Sequence, residues 1–389
     1  MQRTYLDHAA TTPMVPAAVE AMTAQLGRVG NASSLHGSGR AARRVVEESR
    51  EAIAACLGAR PAEVIFTSGG TEADNLAVKG AFWSARQHDP GRDHLATSTI
   101  EHHAVLDAVE WLSAAEGAKV SWLPVTAEGR LRVDELREAV SDATALVSVM
   151  WGNNEVGTLQ PVAEVAAVAA EHGARSHSDA VQAVGHVEVD FGASGLDTLS
   201  FTAHKLGGPY GVGALLARRE VSLTSVLHGG GQEREVRSGT LDVASVAGFA
   251  AAVVAAVGRR ADEERRLRDL RRRLVTEVLA AVPDAVLNGV ADEGTLPGVV
   301  NLAFPGCESS AVLMLLDAAG IDCSAGSACG AGVSRPSHVL TALGLDEERA
   351  RSCVRFSLGH SSTSADVDVL LAALPEAIRR ARTAGLLTG

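Results

Sequence analysis

From about residue 60 the chain alternates between short apolar runs and longer stretches whose apolar residues recur at helical spacing. Residues 63–67, 94–99, 119–125, 145–151, 175–178, 198–201 and 213–217 read as seven strands. Between several of them, residues 71–85, 102–116 and 162–172 carry the three- and four-residue spacing of helices. Strands alternating with helices predict an α/β fold with a mostly parallel seven-stranded sheet covered on both faces. Such sheets bind ligands beyond the carboxyl ends of their strands, so chemistry is expected in the segments just after each run. The glycine-rich segment 206–214 reads as an antiparallel turn-back at one sheet edge.

The pattern changes near residue 240. An apolar stretch over 243–257 contains Ser245 and Gly248. It reads as a buried helix, too short to span a bilayer. A charged helix over 261–274 follows, with Leu267, Leu270 and Leu274 forming a narrow apolar stripe. Strand-like 299–304, helical 309–319, strand-like 353–358 and helical 365–384 then predict a small α/β layer. At 389 residues the chain exceeds the roughly 250–300 at which a single core stops growing. The expected division is a large domain over 14–258 and a small domain made of 1–13 with 259–389, the charged helix connecting them.

Composition narrows the function classes. Hydrophobic residues make up 46% and charged residues 21%, a globular balance, while 3% aromatics leave the core to Ala, Val and Leu. A net charge of −12 argues against broad electrostatic binding to nucleic acid. The N-terminus has no apolar signal core, and no membrane partner is expected. The five cysteines, Cys56, Cys307, Cys323, Cys329 and Cys353, are odd in number and form no CxxC pair. That pattern fits free thiols in a reducing cytoplasm.

The strand ends supply the candidate chemistry. Ser200-Phe201-Thr202-Ala203-His204-Lys205 closes one run and is followed by Leu206-Gly207-Gly208. Burial there lowers a lysine pKa and leaves a neutral amine able to condense with an aldehyde. Ser68-Gly69-Gly70-Thr71-Glu72 opens a helix after another run, and free amides at a helix N-terminus attract a phosphate. An ordinary cap near Thr71 is the plainer alternative. In Glu101-His102-His103 a histidine can stack on a cofactor ring and move protons, or simply cap a helix. Adjacent helical positions do not share a face, so one of the two histidines at most is expected to be functional.

Asn153-Asn154-Glu155 and Asp179-Ala180-Val181-Gln182 hold the equivalent place after two further runs. Asp179 could pair with a pyridinium nitrogen, while Asn154 and Gln182 could hydrogen-bond a ring hydroxyl and the substrate. Each alone is equally an Asx-turn residue; their shared position is the stronger signal. Arg237-Ser238-Gly239-Thr240 offers phosphate donors or a surface turn. Arg355, amid apolar strand neighbours, suits bidentate capture of a carboxylate or a structural ion pair. Cys329 lies in a run of small residues, 323–332, expected to be mobile, where a thiol can reach a target. Cys56, Cys307 and Cys353 read as buried packing residues, and Cys323 as a strand-interior competitor.

Thr-Ser-Gly-Gly-Thr-Glu, Glu-His-His-Ala-Val-Leu, Asn-Asn-Glu-Val-Gly, Asp-Ala-Val-Gln, Ala-His-Lys, Arg-Ser-Gly-Thr and Gly-Ser-Ala-Cys occur here in one order, after an opening Tyr5-Leu6-Asp7-His8-Ala9-Ala10-Thr11-Thr12-Pro13. From residue 5 to about 360 the chain thereby resembles the cysteine desulfurases of the IscS/NifS type, in the class V aminotransferase group. The resemblance implies the fold type I of pyridoxal-phosphate-dependent transferases, a cytoplasmic homodimer, and pyridoxal 5'-phosphate held as a Schiff base on Lys205. By position it implies that catalytic His102 stacks on the ring, Asp179 faces the ring nitrogen, and Gln182 lies near the ring hydroxyl. Gly70, Thr71, Thr202 and His204, beside Ala203, would hold the phosphate, helped by Thr240 of the partner subunit. Asn154, also beside the cofactor, and Arg355 would hold the L-cysteine carboxylate.

Cys329 would attack the substrate sulfur and keep it as a persulfide, leaving L-alanine. The Gly-Ser-Ala-Cys form resembles the subgroup serving iron–sulfur cluster assembly and tRNA thiolation, so an iron–sulfur scaffold or other sulfur-acceptor protein is the implied partner. Cys329 is also read as a transient iron–sulfur ligand. Gly330-Ala331-Gly332 stands where threonine and serine commonly follow the cysteine, and Thr202 stands where serine is usual. A selenocysteine lyase or other class V enzyme, and a non-catalytic sulfur-transfer scaffold, are the alternatives. The first would not need Cys329 for its ordinary reaction with cysteine; the second has no use for a full cofactor set.

Overall fold

The apolar run Val64-Ile65-Phe66-Thr67 buries every residue, as a strand covered on both faces must. In the computed structural model, which describes residues 3–325 and 336–385, such runs assemble into one large sheet. After a short first strand β1 (Thr4–Tyr5) come β2 (Val64–Thr67), β3 (His94–Ser98), β4 (Lys119–Leu123), β5 (Thr144–Ser148), β6 (Arg175–Asp179), β7 (Thr198–Thr202) and β8 (Gly213–Ala217). The sheet order is β2-β8-β7-β6-β5-β3-β4, and β8 runs opposite to the other six strands. The mostly parallel seven-stranded sheet is thus as expected.

The turn-back is not at the edge: β2 lies outside β8, paired from Val64↔Leu216 to Thr67↔Gly213. Gly213 permits this, because a Cβ there would lie 2.7 Å from the carbonyl carbon of Gly69. The loop after β2 can therefore cross β8 closely.

Residues 243–257 and 261–274 belong to one continuous 39-residue helix, Val243–Ala281, and not to two. Gly258 at the junction costs helix propensity but clashes with nothing, so the helix runs through. By length and composition this helix could cross a membrane, contrary to the shorter span expected; half of its apolar window is buried inside the protein. Its apolar half packs on helices Pro16–Leu26 and Gly37–Cys56, which the alternating pattern from residue 60 onward does not reach. Phe249 and Val253 join Phe201 and Leu216 in one apolar core.

The charged half puts Leu267, Leu270 and Leu274 into a second core with Leu302, Phe356 and Leu370. There β9 (Val286–Asn288), β10 (Val299–Ala303) and β12 (Cys353–Ser357) form an antiparallel sheet in the order β12-β10-β9, and β11 (Ile321–Asp322) pairs with β1. The N-terminal segment crosses between the cores. Leu6 belongs to the second and Val15 to the first. Between them the backbone bridges Asp7 to Ser357, and Thr12 N–H donates to the His204 carbonyl at 3.1 Å.

Candidate active site

The loops after β2, β3, β5, β6 and β7 converge with β12 on a cavity of about 360 Å³. Its lining brings together Gly70, Thr71, His102, Asn154, Asp179, Gln182, Thr202, His204, Lys205 and Arg355. The strand-end expectation therefore gathers nine of its candidates in one place, joined by Arg355 from within β12.

Each is set by local backbone chemistry. Gly69 adopts φ 156°, ψ −178°, a region open essentially to glycine, and aims the helix Gly70–His88 at the cavity. A side chain at Gly70 would meet Val181 Cγ2 at 2.9 Å, so the helix start can press against the β6 loop. Glu72 accepts from the Ser68 amide at 2.6 Å and from Arg237 Nε at 2.8 Å, tying the 237–240 turn to this helix start.

His102 both caps and lines: its Nδ1 accepts from the Ala104 amide at 3.1 Å while its ring borders the cavity. The two readings of this histidine are compatible. His103 is exposed and pairs with Asp107 at 3.0 Å. Asn153 is the structural member of its pair, its Oδ1 accepting from the amides of Glu155 and Val156, which leaves Asn154 to the cavity.

The electrostatics are those of buried groups. Burial, followed by the positive charge of Arg355, pushes the Lys205 amine down to about 8. Its Nζ donates to the carbonyls of Ala9 at 2.5 Å and Ala10 at 2.7 Å. Burial and neighbouring Asp74 raise Asp179 to about 7, opposed by His102 and a bond from the Val181 amide. Burial lowers His102, whose Nδ1 is thus free to accept. His204, stacked on Tyr210 at 5.7 Å, is pushed down to about 4 by burial.

Arg355 donates from Nη2 to Asp7 Oδ1 at 2.8 Å and from Nη1 to the Asn154 carbonyl at 3.0 Å; its Nε is buried without a hydrogen-bond partner among the described residues.

Three candidate residues fall elsewhere. Ala203 is fully buried and does not line the cavity; its neighbours Thr202 and His204 do. Thr240 is exposed and outside this chain's cavity. Cys329 lies outside the described residues. Cys323 follows β11 where it was expected inside a strand, and burial pushes its thiol up to about 12. Cys353 is buried and likewise pushed up to about 12; Cys307 is buried, whereas Cys56 is half-buried. None of these four is poised as a thiolate.

The N-terminal strap was missed. Ala9 and Ala10 line the cavity, Gln182 Nε2 donates to the Ala9 carbonyl at 2.8 Å, and Asp7 pairs with Arg355. Main-chain carbonyls have no residue-type signature, so motif reading could not find them. The Tyr5–Pro13 motif was the available signal.

The donor set fits a phosphorylated aromatic aldehyde. It offers an amine of lowered pKa, a buried carboxyl across the cavity, and a glycine-opened helix start with Thr71 at one end.

Comparison with known proteins agrees. The family described as Aminotransferase class-V matches residues 4–370. An "IscS-like cysteine desulfurase" of Mycobacterium tuberculosis is 59% identical over 98% of this chain and 98% of its own length. A "Cysteine desulfurase IscS" of Methanosarcina thermophila is 42% identical over 99% of this chain and 94% of its own. Among solved structures, a "NifS-like protein" superposes with TM-score 0.90 at 34% identity, covering 97% of this chain and 100% of that one. DndA from Streptomyces lividans gives TM-score 0.75 at 39% identity, over 91% of this chain and 99% of its own.

Proposed function

The chain belongs to the class-V aminotransferase family as a pyridoxal-phosphate-dependent cysteine desulfurase, and on that premise we propose how its own residues carry the reaction. The selenocysteine lyase and scaffold alternatives are not favoured. Lys205 would be the covalent anchor, His102 would stack on the ring, Asp179 would face the ring nitrogen and Gln182 the ring hydroxyl. Gly70, Thr71, Thr202 and His204 hold the phosphate, with Thr240 of the partner subunit in a homodimer. Asn154 and Arg355 orient the carboxylate of L-cysteine. The observation that carries this reading is the Lys205 amine of lowered pKa sharing one cavity with Asp179 and Arg355.

When bound, pyridoxal phosphate supplies an electron sink for negative charge at the substrate Cα. With its amine free, Lys205 would take the Cα proton and later return one to the carbon skeleton. Ala9 and Ala10 hold its ammonium form in the interval. The Cys329 thiolate attacks the substrate sulfur; the Cβ–S bond breaks and its electron pair stays with carbon, which is then protonated. L-cysteine plus the Cys329 thiol thus becomes L-alanine plus the Cys329 persulfide. The outer sulfur then passes to an acceptor, for which we propose an iron–sulfur scaffold protein or the tRNA thiolation machinery, in the cytoplasm.

We further assign residues 14–258 to a cofactor domain and 1–13 with 259–389 to a small domain carrying Cys329.

Cys329→Ala tests the nucleophile. Cofactor absorbance should persist while alanine formation from cysteine is lost, and alkylation followed by mass analysis should find no persulfide. Wild-type turnover by Cys329→Ala would remove the assignment.

A further inference from the structure

The Arg355 side chain is 4% exposed, and its nitrogens have unlike partners. Nη1 donates to the Asn154 carbonyl, Nη2 to Asp7, and Nε to nothing among the described residues. Asp7 is itself held. Its backbone bridges Ser357, and its carbonyl accepts from the Tyr5 hydroxyl at 3.1 Å and the Ala10 amide at 3.0 Å. The ion pair is therefore built into the junction of strap and β12, at the wall of the Lys205 cavity. A guanidinium has five N–H groups. With Asn154 on Nη1 and Asp7 on Nη2, Nε keeps an unspent donor, and Nε with Nη2 is an edge of the guanidinium that can take a carboxylate side-on.

We propose that Asp7 is a positioning residue for amino-acid recognition: it pins Arg355 at the cavity wall with Nε left unspent for a ligand carboxylate, and its charge tempers that grip. The proposal rests on Arg355 as the carboxylate-binding residue. A lone buried guanidinium would gain a full ion pair from any incoming carboxylate; one already paired gains less. Substrate cysteine and product alanine share the same amine and carboxylate. An untempered grip would therefore hold the product as firmly as the substrate.

The test titrates pyridoxal-phosphate-loaded protein calorimetrically with L-alanine and with ethylamine, which lacks the carboxylate. Asp7→Asn keeps an acceptor oxygen but removes the charge. It should bind L-alanine about tenfold tighter, in line with the strength of charge-assisted hydrogen bonds, and bind ethylamine as wild type does. In turnover it should lower KM for L-cysteine and lower kcat, a split that a merely structural defect would not produce. Asp7→Gln, which also keeps an acceptor oxygen without the charge, carries the same expectation if the shorter amide variant fails to fold or load. Unchanged or weaker alanine binding, or an equal shift for both amines, overturns the proposal. Arg355→Ala is the separate control. It should weaken L-alanine binding at least about tenfold and spare ethylamine. If it leaves alanine binding intact, the assignment of Arg355 fails, whatever Asp7 does.

Discussion

The cavity has two unlike walls. One is made of side chains set at the carboxyl ends of the large sheet's strands, among them Asp179, Gln182 and Lys205. The other is the N-terminal strap, whose Ala9 and Ala10 line the cavity and present their carbonyls to Gln182 and Lys205, while its Asp7 carboxylate accepts from Arg355 of β12. The first wall carries titratable groups whose pKa values burial displaces. The second carries fixed acceptors that pull back. At Lys205 opposing influences meet: burial and Arg355 favour the neutral amine, while Asp7, Asp179 and the carbonyl acceptors of the strap favour the ammonium. Reactivity in this site is therefore a balance between walls from distant parts of the chain.

The largest effect should come from removing the point where the walls meet. Lys205→Ala takes away both the covalent anchor and the proton carrier. Alanine formation should fall by at least about 10³-fold, within the range for loss of a general acid–base group compounded by loss of the nucleophile. Borohydride should no longer fix the cofactor to the chain. Retention of borohydride-stable cofactor would assign the anchor to another residue.

The next effect reads the balance itself. With a pKa of about 8 in place of 10.5, the Lys205 amine of the cofactor-free protein is mostly protonated at pH 6 and half neutral near pH 8. Capture of pyridoxal phosphate, followed by absorbance, should speed up about 50-fold between those two pH values and then level off. An unperturbed lysine would keep accelerating toward pH 10.5. The same shift has a sign in stability. Between about 8 and 10.5 the unfolded chain binds a proton that the folded chain lacks, so this group's contribution rises with pH across that window. Capture that keeps rising past pH 9 would show that burial does not govern the amine.

The two walls also differ in how far they can be read from residue order. Gly70, His102, Asn154 and Lys205 each follow a strand of one alternating series and Asp179 ends one, so short apolar runs and their interruptions mark them out. The strap has no such mark. Asp7 meets Arg355 across 348 positions, and Ala9 acts through an oxygen that every residue possesses. Elsewhere, packing overrode local signals. The break in hydropathy at Gly258-Arg259-Arg260 divides the long helix into two patterns, yet the backbone needs no break because each half has its own core. The position of β8 one strand inside the edge depended on β2 returning to pair with it, a long-range choice that the glycine-rich turn does not encode.

A change that moves the strap alone should give the smallest effect and the sharpest separation of the walls. Gly359 lies outside the cavity lining, and a Cβ built there would sit 2.2 Å from Nδ1 of the buried His8 ring. That nitrogen bonds Thr12 Oγ1 at 2.6 Å, and the ring packs edge-on against Tyr5 at 5.0 Å. In Gly359→Ala the ring must give way, at about 1–3 kcal/mol for overpacking, and the chain between Asp7 and Thr12 shifts with it. The Ala9 and Ala10 carbonyls then hold the ammonium of Lys205 less well. Because such acceptors favour the charged form, their loss lowers the amine pKa further. The capture midpoint should therefore move below 8, with kcat/KM reduced about tenfold or less and a lower melting temperature. His8→Ala in the same chain removes the clashing ring and should restore part of both the midpoint and the melting temperature. A destabilised Gly359→Ala that keeps the wild-type midpoint would mean that the strap braces the fold but does not tune Lys205.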